Sequence, residues 1–175
     1  MRGALVEILD RQDRALFARL VLHGDAPALT RAAWVAITHA GGVTGSFLIA
    51  LVPFVVATGA FKLAAMQTGW ILGMSHALVQ LVKRNVVRGR PHEVADTTAH
   101  VRIPDRYSFP SGHSAASMAV AFGYGATFPS LAAPLLMAAV LVGFSRVRLG
   151  VHFPGDVIAG QLIAILTGII VRAAW

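Results

Sequence analysis

The sequence predicts an all-α protein: a polytopic membrane helix bundle of about five to six transmembrane helices, preceded by an amphipathic N-terminal helix. Three observations predict it. Of the 175 residues, 56% are hydrophobic and only 13% are charged, against about 45–50% and about 25% in an ordinary soluble domain. The apolar residues collect in long runs without the alternation of a strand. A lipid interior also offers no water to free backbone groups, so apolar spans there are helices or closed barrels.

The elements follow in chain order as one domain over 1–175, with an interfacial part over 1–40 and a transmembrane bundle over 43–175. Within 1–22, Leu5, Ile8, Leu9, Leu16 and Leu20 fall near one helical face, with Glu7, Asp10, Arg11 and Arg14 largely elsewhere. That pattern predicts an amphipathic helix lying on the membrane surface, with an ordinary packing helix as an equal alternative. Residues 28–40 predict a second short helix at the membrane edge, and Asp25 and Arg31 argue against a sixth span over 15–40. Five apolar segments come next: Val43–Phe61, with a kink expected at Pro53; Ala64–Val82; Ser114–Phe128; Leu131–Phe144; and Val157–Val171. A crossing needs roughly 20 residues, which the first, second and fifth supply and the other two reach only with their polar ends. Lys62 marks the turn between the first two, and "TFPS" (127–130) joins the third to the fourth. Small residues predict close helix packing: Gly69 and Gly73 in the second segment, and Ala115, Ala116, Ala119, Ala121, Gly123 and Gly125 in the third. The one long connection, 84–110, is polar and rich in Arg, Pro, His and Asp, and a loop of that length is expected to be functional or disordered.

Composition excludes several functions. There is no cysteine, which removes disulfides, thiolate catalysis and thiolate metal sites. The N-terminal residues carry charges throughout and do not resemble a cleavable signal. The net charge is +7. The cations gather at breaks in an apolar chain, which points to anionic lipid or a phosphorylated substrate and away from nucleic acid.

Three polar islands interrupt the apolar runs. "KRNVVRGRP" (83–91) closes the second segment. Lys83 and Arg90 are separated by six residues, and Pro91 stops the helix. A guanidinium held there can grip phosphate oxygens through two parallel hydrogen bonds. "PSGH" (110–113) opens the third segment. Ser111 offers a hydroxyl, Gly112 lets a ligand approach the backbone, and the free amides of a helix start attract anions. His113 moves protons near neutral pH. "SRVRLGVHFPGD" (145–156) lies between the fourth and fifth segments. Asp156 follows His152 by four positions, so on a helical turn the carboxylate reaches the imidazole, fixing its tautomer and leaving the other ring nitrogen free. The plain structural alternative is that Asp156 caps the following helix. Counting crossings puts all three islands on one side of the membrane. Together they hold cations, a nucleophile and a proton donor, the parts that phosphoryl transfer needs.

The islands, read as Lys83-x6-Arg90-Pro91, Pro110-Ser111-Gly112-His113 and Ser145-Arg146-x5-His152-x3-Asp156, resemble the three-part motif of the type 2 phosphatidic acid phosphatase (PAP2) superfamily. The resemblance implies an integral membrane lipid phosphatase, in bacteria placed in the inner membrane with its site facing the extracytoplasmic side. It implies His152 as the nucleophile that forms a phosphohistidine, Asp156 as its orienting partner and His113 as the acid and base. Lys83, Arg90, Ser111, Gly112 and Arg146 would hold the phosphate. The island side has only Glu93, Asp96, Asp105 and Asp156 as acids, with no tight cluster. No metal and no other cofactor is therefore expected, and the cations are to neutralise the substrate's charge. The expected partners are a lipid phosphate and membrane lipids, without nucleic acid; homo-oligomerisation stays open. Candidate lipids are undecaprenyl pyrophosphate, phosphatidic acid, phosphatidylglycerol phosphate and diacylglycerol pyrophosphate. A small transporter or channel subunit with an anion site, and a vanadate haloperoxidase, are the competing readings.

Other polar residues are read as structural. His76 and Gln80 share a helix face with Lys83; the alternatives are a polar path beside the site and a hydrogen bond to another helix, and the second is the expectation. His92, Glu93, Asp96 and His100 belong to the solvated loop. Arg84, Arg88 and Arg148 raise the local positive potential, and Trp34, Trp70 and Trp175 anchor or pack.

Overall fold

The computed structural model describes residues 4–95, 97–103 and 105–175, with side chains from residue 10 onward. The side chains of Leu5, Glu7, Ile8 and Leu9, and the whole of Asp96, lie outside the described part. Every regular element among the described residues is a helix: α1 (Ala4–Leu20), α2 (Ala28–Ala40), α3 (Val43–Val56), α4 (Gly59–Asn85), α5 (Pro91–Val94), α6 (Gly112–Thr127), α7 (Pro129–Arg148) and α8 (Pro154–Ala173).

Helix α6 is the central post. It packs against α3, α4, α7 and α8, and Ala115, Ala116, Ala119, Ala121, Gly123 and Gly125 are buried. Small residues let backbones meet closely where no hydrophobic drive separates helix from lipid. A Cβ on Gly123 would stand 2.1 Å from Thr68 Oγ1 of α4, and one on Gly160 of α8 would stand 2.3 Å from the Ser111 carbonyl oxygen. The second contact holds the start of α8 against the start of α6. Gly69 and Gly73, by contrast, have open space beside them. Their expected packing role is not used within this chain, because they lie on the outward side of α4.

The outer faces are apolar. Leu51, Val52 and Val55 on α3, Met137 and Val140 on α7, and Ile158, Leu162 and Leu166 on α8 are exposed, as lipid-facing residues are. Among the described residues α7 and α8 are long and apolar enough to cross a membrane, and the bent pair α2–α3 makes a third candidate. The expectation ranked the spans differently. Helix α4 has 27 residues, about 40 Å at 1.5 Å per residue, but Gln67, Thr68, His76, Gln80 and Lys83 lower its hydropathy. Helix α6 has 16 residues, about 24 Å against a hydrocarbon core of about 30 Å. Enclosed by its neighbours, α6 has little need of apolar surface.

Three boundaries differ from expectation. The turn after α3 falls at Ala57–Thr58, where extended residues lead into Gly59 at φ +59°. Phe61 and Lys62 therefore already belong to α4. The chain breaks at Gly41–Gly42, where α2 and α3 meet at 41°, and α3 runs through Pro53 to Val56. A Cβ on Gly41 would stand 2.2 Å from Val142 of α7, so the glycine lets the end of α2 rest on that helix. The connection 84–110 is pinned and not freely solvated: it carries α5, His100 N donates to the Leu149 carbonyl, and Ser108 N donates to the Arg88 carbonyl.

Helix α1 packs inward through Phe17, with Leu20 of the predicted leucine stripe against the same cluster. Leu16 is 47% exposed, whereas Phe17 is 1% exposed. Phe17 meets the Phe153 ring edge-on at 5.2 Å and clusters with Val147 and Val157. An aromatic ring offers more buried area and a preferred edge-to-face geometry than a leucine at the next position.

Candidate active site

The ends of α4, α6, α7 and α8 converge on one cavity of about 470 Å³. Its walls carry Lys83 from α4, Arg90 and Asp105 from the long connection, Gly112 and His113 from α6, Arg146 from α7 and His152 from the α7–α8 junction. The opposite wall is the α2–α3 break, with His39, Gly42, Val43, Thr44 and Gly45. Residues separated by more than sixty positions in the sequence therefore share one space, with the two histidines on the same side of the bundle.

The α7–α8 junction sets His152. Its backbone N–H donates to the Arg146 carbonyl, and its ring is 3% exposed. Nδ1 lies 3.5 Å from Asp156 Oδ2, and Nε2 lies 3.4 Å from Arg90 Nη1. The ring thus turns one nitrogen to a carboxylate and the other toward the cationic cavity. Burial pushes the His152 imidazole down to about 4 against the pull of Asp156, and the charges of Arg90 and Arg146 act in the same direction as burial. At neutral pH the ring is neutral and its Nε2 lone pair is available.

Asp156 does both jobs that the sequence left open. As the third residue of α8 it accepts a hydrogen bond from Phe153 N at 2.8 Å, so it caps the helix; it also faces His152. It is fully buried and stands behind the cavity wall. Its other oxygen accepts from Arg88 Nη1 at 2.6 Å.

Three cations surround the space. Lys83, Arg90 and Arg146 are 5%, 1% and 2% exposed, and burying a cation is costly unless an anion answers it. Arg146 Nη1 donates to Thr38 Oγ1 of α2 at 2.7 Å, and its buried Nε has no protein partner. Arg90 is fixed from below by the Val151 carbonyl at 2.7 Å. Lys83 and Arg90 both point at Asp105: Lys83 Nζ donates to Oδ2 at 2.8 Å, and Arg90 Nη2 donates to Oδ1. Burial alone would raise the Asp105 carboxyl, but the hydrogen bonds and charges of Lys83 and Arg90 outweigh it and hold it below the usual carboxylate value.

Of the eight predicted site residues, Lys83, Arg90, Gly112, His113, Arg146 and His152 line the cavity. Ser111 does not: its hydroxyl is buried, caps α6 and accepts from Ser114 Oγ at 2.9 Å, while its N–H donates to the Asp156 carbonyl. His76 and Gln80 also line the cavity and reach only each other, at 3.5 Å. Their expected bond to another helix is absent among the described residues, because their face of α4 looks into the cavity. Three parts of the site were not foreseen. Asp105 bridges two cations. Thr38 and His39 come from the N-terminal part, and the paired glycines after His39 were the available signal. Asp10 and Asp13 of α1 reach Arg88; the only hint was a pair of acids three apart in a basic chain.

Comparison with known proteins accords with this geometry. The sequence profile of the PAP2 superfamily matches residues 64–175. The decaprenylphosphoryl-5-phosphoribose phosphatase of Mycobacterium tuberculosis is 33% identical over 118 residues, which is 65% of each chain. The chain thus spans 65% of the length of that curated relative. Among solved structures, Aquifex aeolicus LpxE superposes with a TM-score of 0.77 at 25% identity, covering 91% of this chain and 93% of the other. A transmembrane PAP2 type phosphatidylglycerolphosphate phosphatase from Bacillus subtilis superposes with a TM-score of 0.75 at 27% identity, covering 98% and 87%.

Proposed function

This chain belongs to the PAP2 superfamily, and from that premise we propose that it is an integral membrane phosphatase that hydrolyses a phosphate monoester or pyrophosphate on a lipid. The observation that carries the reading is the shared cavity: two histidines and three buried cations around a space open toward Gly112 and the α2–α3 break. In the first step His152 Nε2 attacks phosphorus. The N–P bond forms as the bond to the lipid oxygen breaks, and His113 gives that oxygen its proton. Water then attacks the phosphohistidine, His113 takes the water's proton, and the N–P bond breaks to release phosphate and neutral His152. Asp156 holds the ring and offsets the positive charge it gains. Lys83, Arg90, Arg146 and the Gly112 backbone hold the phosphoryl oxygens; Ser111 acts from behind, by capping the helix that presents Gly112 and His113. Three cations supply the charge neutralisation that phosphoryl transfer requires, so the reaction proceeds without a metal ion.

The chain works as one domain over 1–175. Helices α3, α4, α6, α7 and α8 give five crossings, α2 continues α3 across the break, and α1 lies at the interface. The cavity faces the extracytoplasmic side of a bacterial inner membrane. Its cations are substrate ligands and so do not count toward the charge bias that orients loops. Undecaprenyl pyrophosphate, phosphatidic acid, phosphatidylglycerol phosphate and diacylglycerol pyrophosphate are the candidate substrates. The test is phosphate release by the purified protein from prenyl diphosphates and glycerolipid phosphates, with and without EDTA. Release from at least one class, and its loss in His152→Ala together with the acid-labile phosphoenzyme, is expected. No release from any of them by a folded protein refutes the reading.

A further inference from the structure

Behind His152 lies a second set of charges. Asp156 has two oxygens: Oδ2 faces the ring and takes the Phe153 amide, and Oδ1 takes Arg88 at 2.6 Å. Arg88 is itself held. Its Nη2 donates to Asp10 Oδ1 at 2.9 Å and to Asp13 Oδ2 at 2.7 Å, and its guanidinium lies 4.4 Å from the centre of the Phe153 ring. Asp13 has a second hold, because its Oδ1 accepts from Gly155 N at 2.8 Å, within the first turn of α8. A Cβ on Gly155 would stand 2.8 Å from that carboxylate, so a glycine is what lets Asp13 approach. One guanidinium thus joins three carboxylates from two ends of the chain, and helix α1 clasps the turn that carries the His152–Asp156 pair.

We propose that Arg88, gripped by Asp10 and Asp13 of α1, is a positioning residue that fixes the direction and charge of Asp156, and through it the reactivity of His152. This inference rests on the phosphatase reading above and deepens it, by making the N-terminal helix part of the active site. Two physical effects are involved. The planar fork of an arginine fixes carboxylates in direction as well as in charge. Its positive charge also moderates how strongly Asp156 favours a protonated His152. The other charged or titratable groups facing the pair are Lys83 from α4, Arg90 and Asp105 from the long connection, Arg146 from α7, His113 from α6, His39 from α2, and Arg14 of α1, whose guanidinium lies 5.7 Å from the Phe153 ring centre. None of these contacts Asp156 in Arg88's place.

The test measures two independent quantities in detergent-solubilised full-length protein: the His152 ring titration by NMR of histidine-labelled protein, assigned with His152→Gln, and steady-state phosphate release. In Arg88→Gln the His152 midpoint is expected to rise by about half a unit to one unit, because Asp156 loses its cation. The value of kcat is expected to fall about 10- to 100-fold, with KM within about twofold. Arg88→Lys keeps the charge and loses the fork, so its titration stays near wild type while kcat stays low. Asp13→Asn leaves Arg88 and its charge on Asp156 but loosens the guanidinium, so kcat is expected to fall several-fold with little change in the titration. It keeps the test available should Arg88→Gln not fold. Phe17→Leu weakens the seat of α1 without touching the charges; it is expected to lower the melting temperature and leave the titration in place. A folded Arg88→Gln with wild-type titration and kcat overturns the proposal, as does a wild-type kcat in Asp13→Asn where only that variant folds, or a Phe17→Leu titration that moves as far as that of Arg88→Gln. Absence of phosphate release by the wild type counts against the phosphatase reading alone, because the NMR titration still reports on Arg88.

Discussion

Asp105 holds two of the cations that the proposed function assigns to phosphate. Its carboxylate accepts from Lys83 at 2.8 Å and from Arg90, two of the three cations that line the cavity. Substrate and Asp105 therefore compete for the same donors, and Asp105→Asn is expected to tighten anion binding. A hydrogen bond to a charged partner contributes about 1.5–3 kcal/mol and a neutral one about half as much. Replacing the carboxylate by an amide weakens two such bonds by about 1 kcal/mol each, or about 2 kcal/mol in all. The Asp105 side chain is 38% exposed, so water screens part of this, and about 1.4 kcal/mol, a factor of about ten, is a fair expectation. The assay is competitive inhibition by inorganic phosphate or vanadate, with circular dichroism and gel filtration to establish folding. A Ki about tenfold lower in Asp105→Asn is expected, and Asp105→Ala should show the same direction. An unchanged or higher Ki in both folded variants refutes the reasoning, since it means that the carboxylate organises the two cations instead of competing for them.

Three further predictions follow from the geometry. Gly160→Ala places a Cβ 2.3 Å from the Ser111 carbonyl oxygen; overpacking of this kind costs about 1–3 kcal/mol, so thermal denaturation should move down and phosphate release should fall with it, whereas an unchanged melting temperature would show that α6 and α8 can part freely. Because His152 is held neutral down to about 4, kcat/KM should keep its nucleophile through mildly acid pH and lose it as pH falls through that value; an acid limb near 6.5 that disappears in no other histidine variant would contradict the burial argument. For Asp10, burial raises the carboxyl, but Arg14 and Arg88 outweigh it and hold it below its ordinary 3.8. Its contribution to the seating of α1 is thus complete above about 3.8 and lost as pH falls through the lowered value. Protection of the Phe17–Leu22 amides, taken relative to the intrinsic exchange rate at each pH, should fall only in that acid range, and a loss of protection near neutrality would break the assignment.

Sequence spacing found most of the residues that line the cavity because they sit at or near helix ends on one side of the bundle. Lys83, Arg90, His113, Arg146 and His152 could be gathered that way without any knowledge of packing. Asp156 was legible through its four-residue spacing to His152. Asp105 was not, because its position depends on how the connection 84–110 is pinned by Ser108, His100 and Arg90, contacts with partners far along the chain. The inward anchor of α1 was not legible for a related reason. Periodicity ranks faces by hydropathy, and Leu16 and Phe17 differ little on that scale, but only Phe17 finds a ring in Phe153 to meet. Span length was legible for α6, which at 16 residues falls short of a full crossing; a helix enclosed by other helices needs small side chains more than apolar length. Gly69 and Gly73 show the converse, a small-residue pair beside open space among the described residues.

The break at Gly41–Gly42 has a consequence for how the cavity can change its preferences under the proposed function. The two histidine rings hang from α6 and the α7–α8 junction, whose neighbours meet at Gly160, while another wall is the bend between two short helices, with His39 and Thr44. That bend is joined to the rings at one point, since a Cβ on Gly42 would stand 3.6 Å from His113 Nε2, and Thr38 just before it holds Arg146. Exchange at Thr44 is therefore expected to alter which headgroup is accepted, whereas exchange at Gly42 is expected to disturb His113 as well.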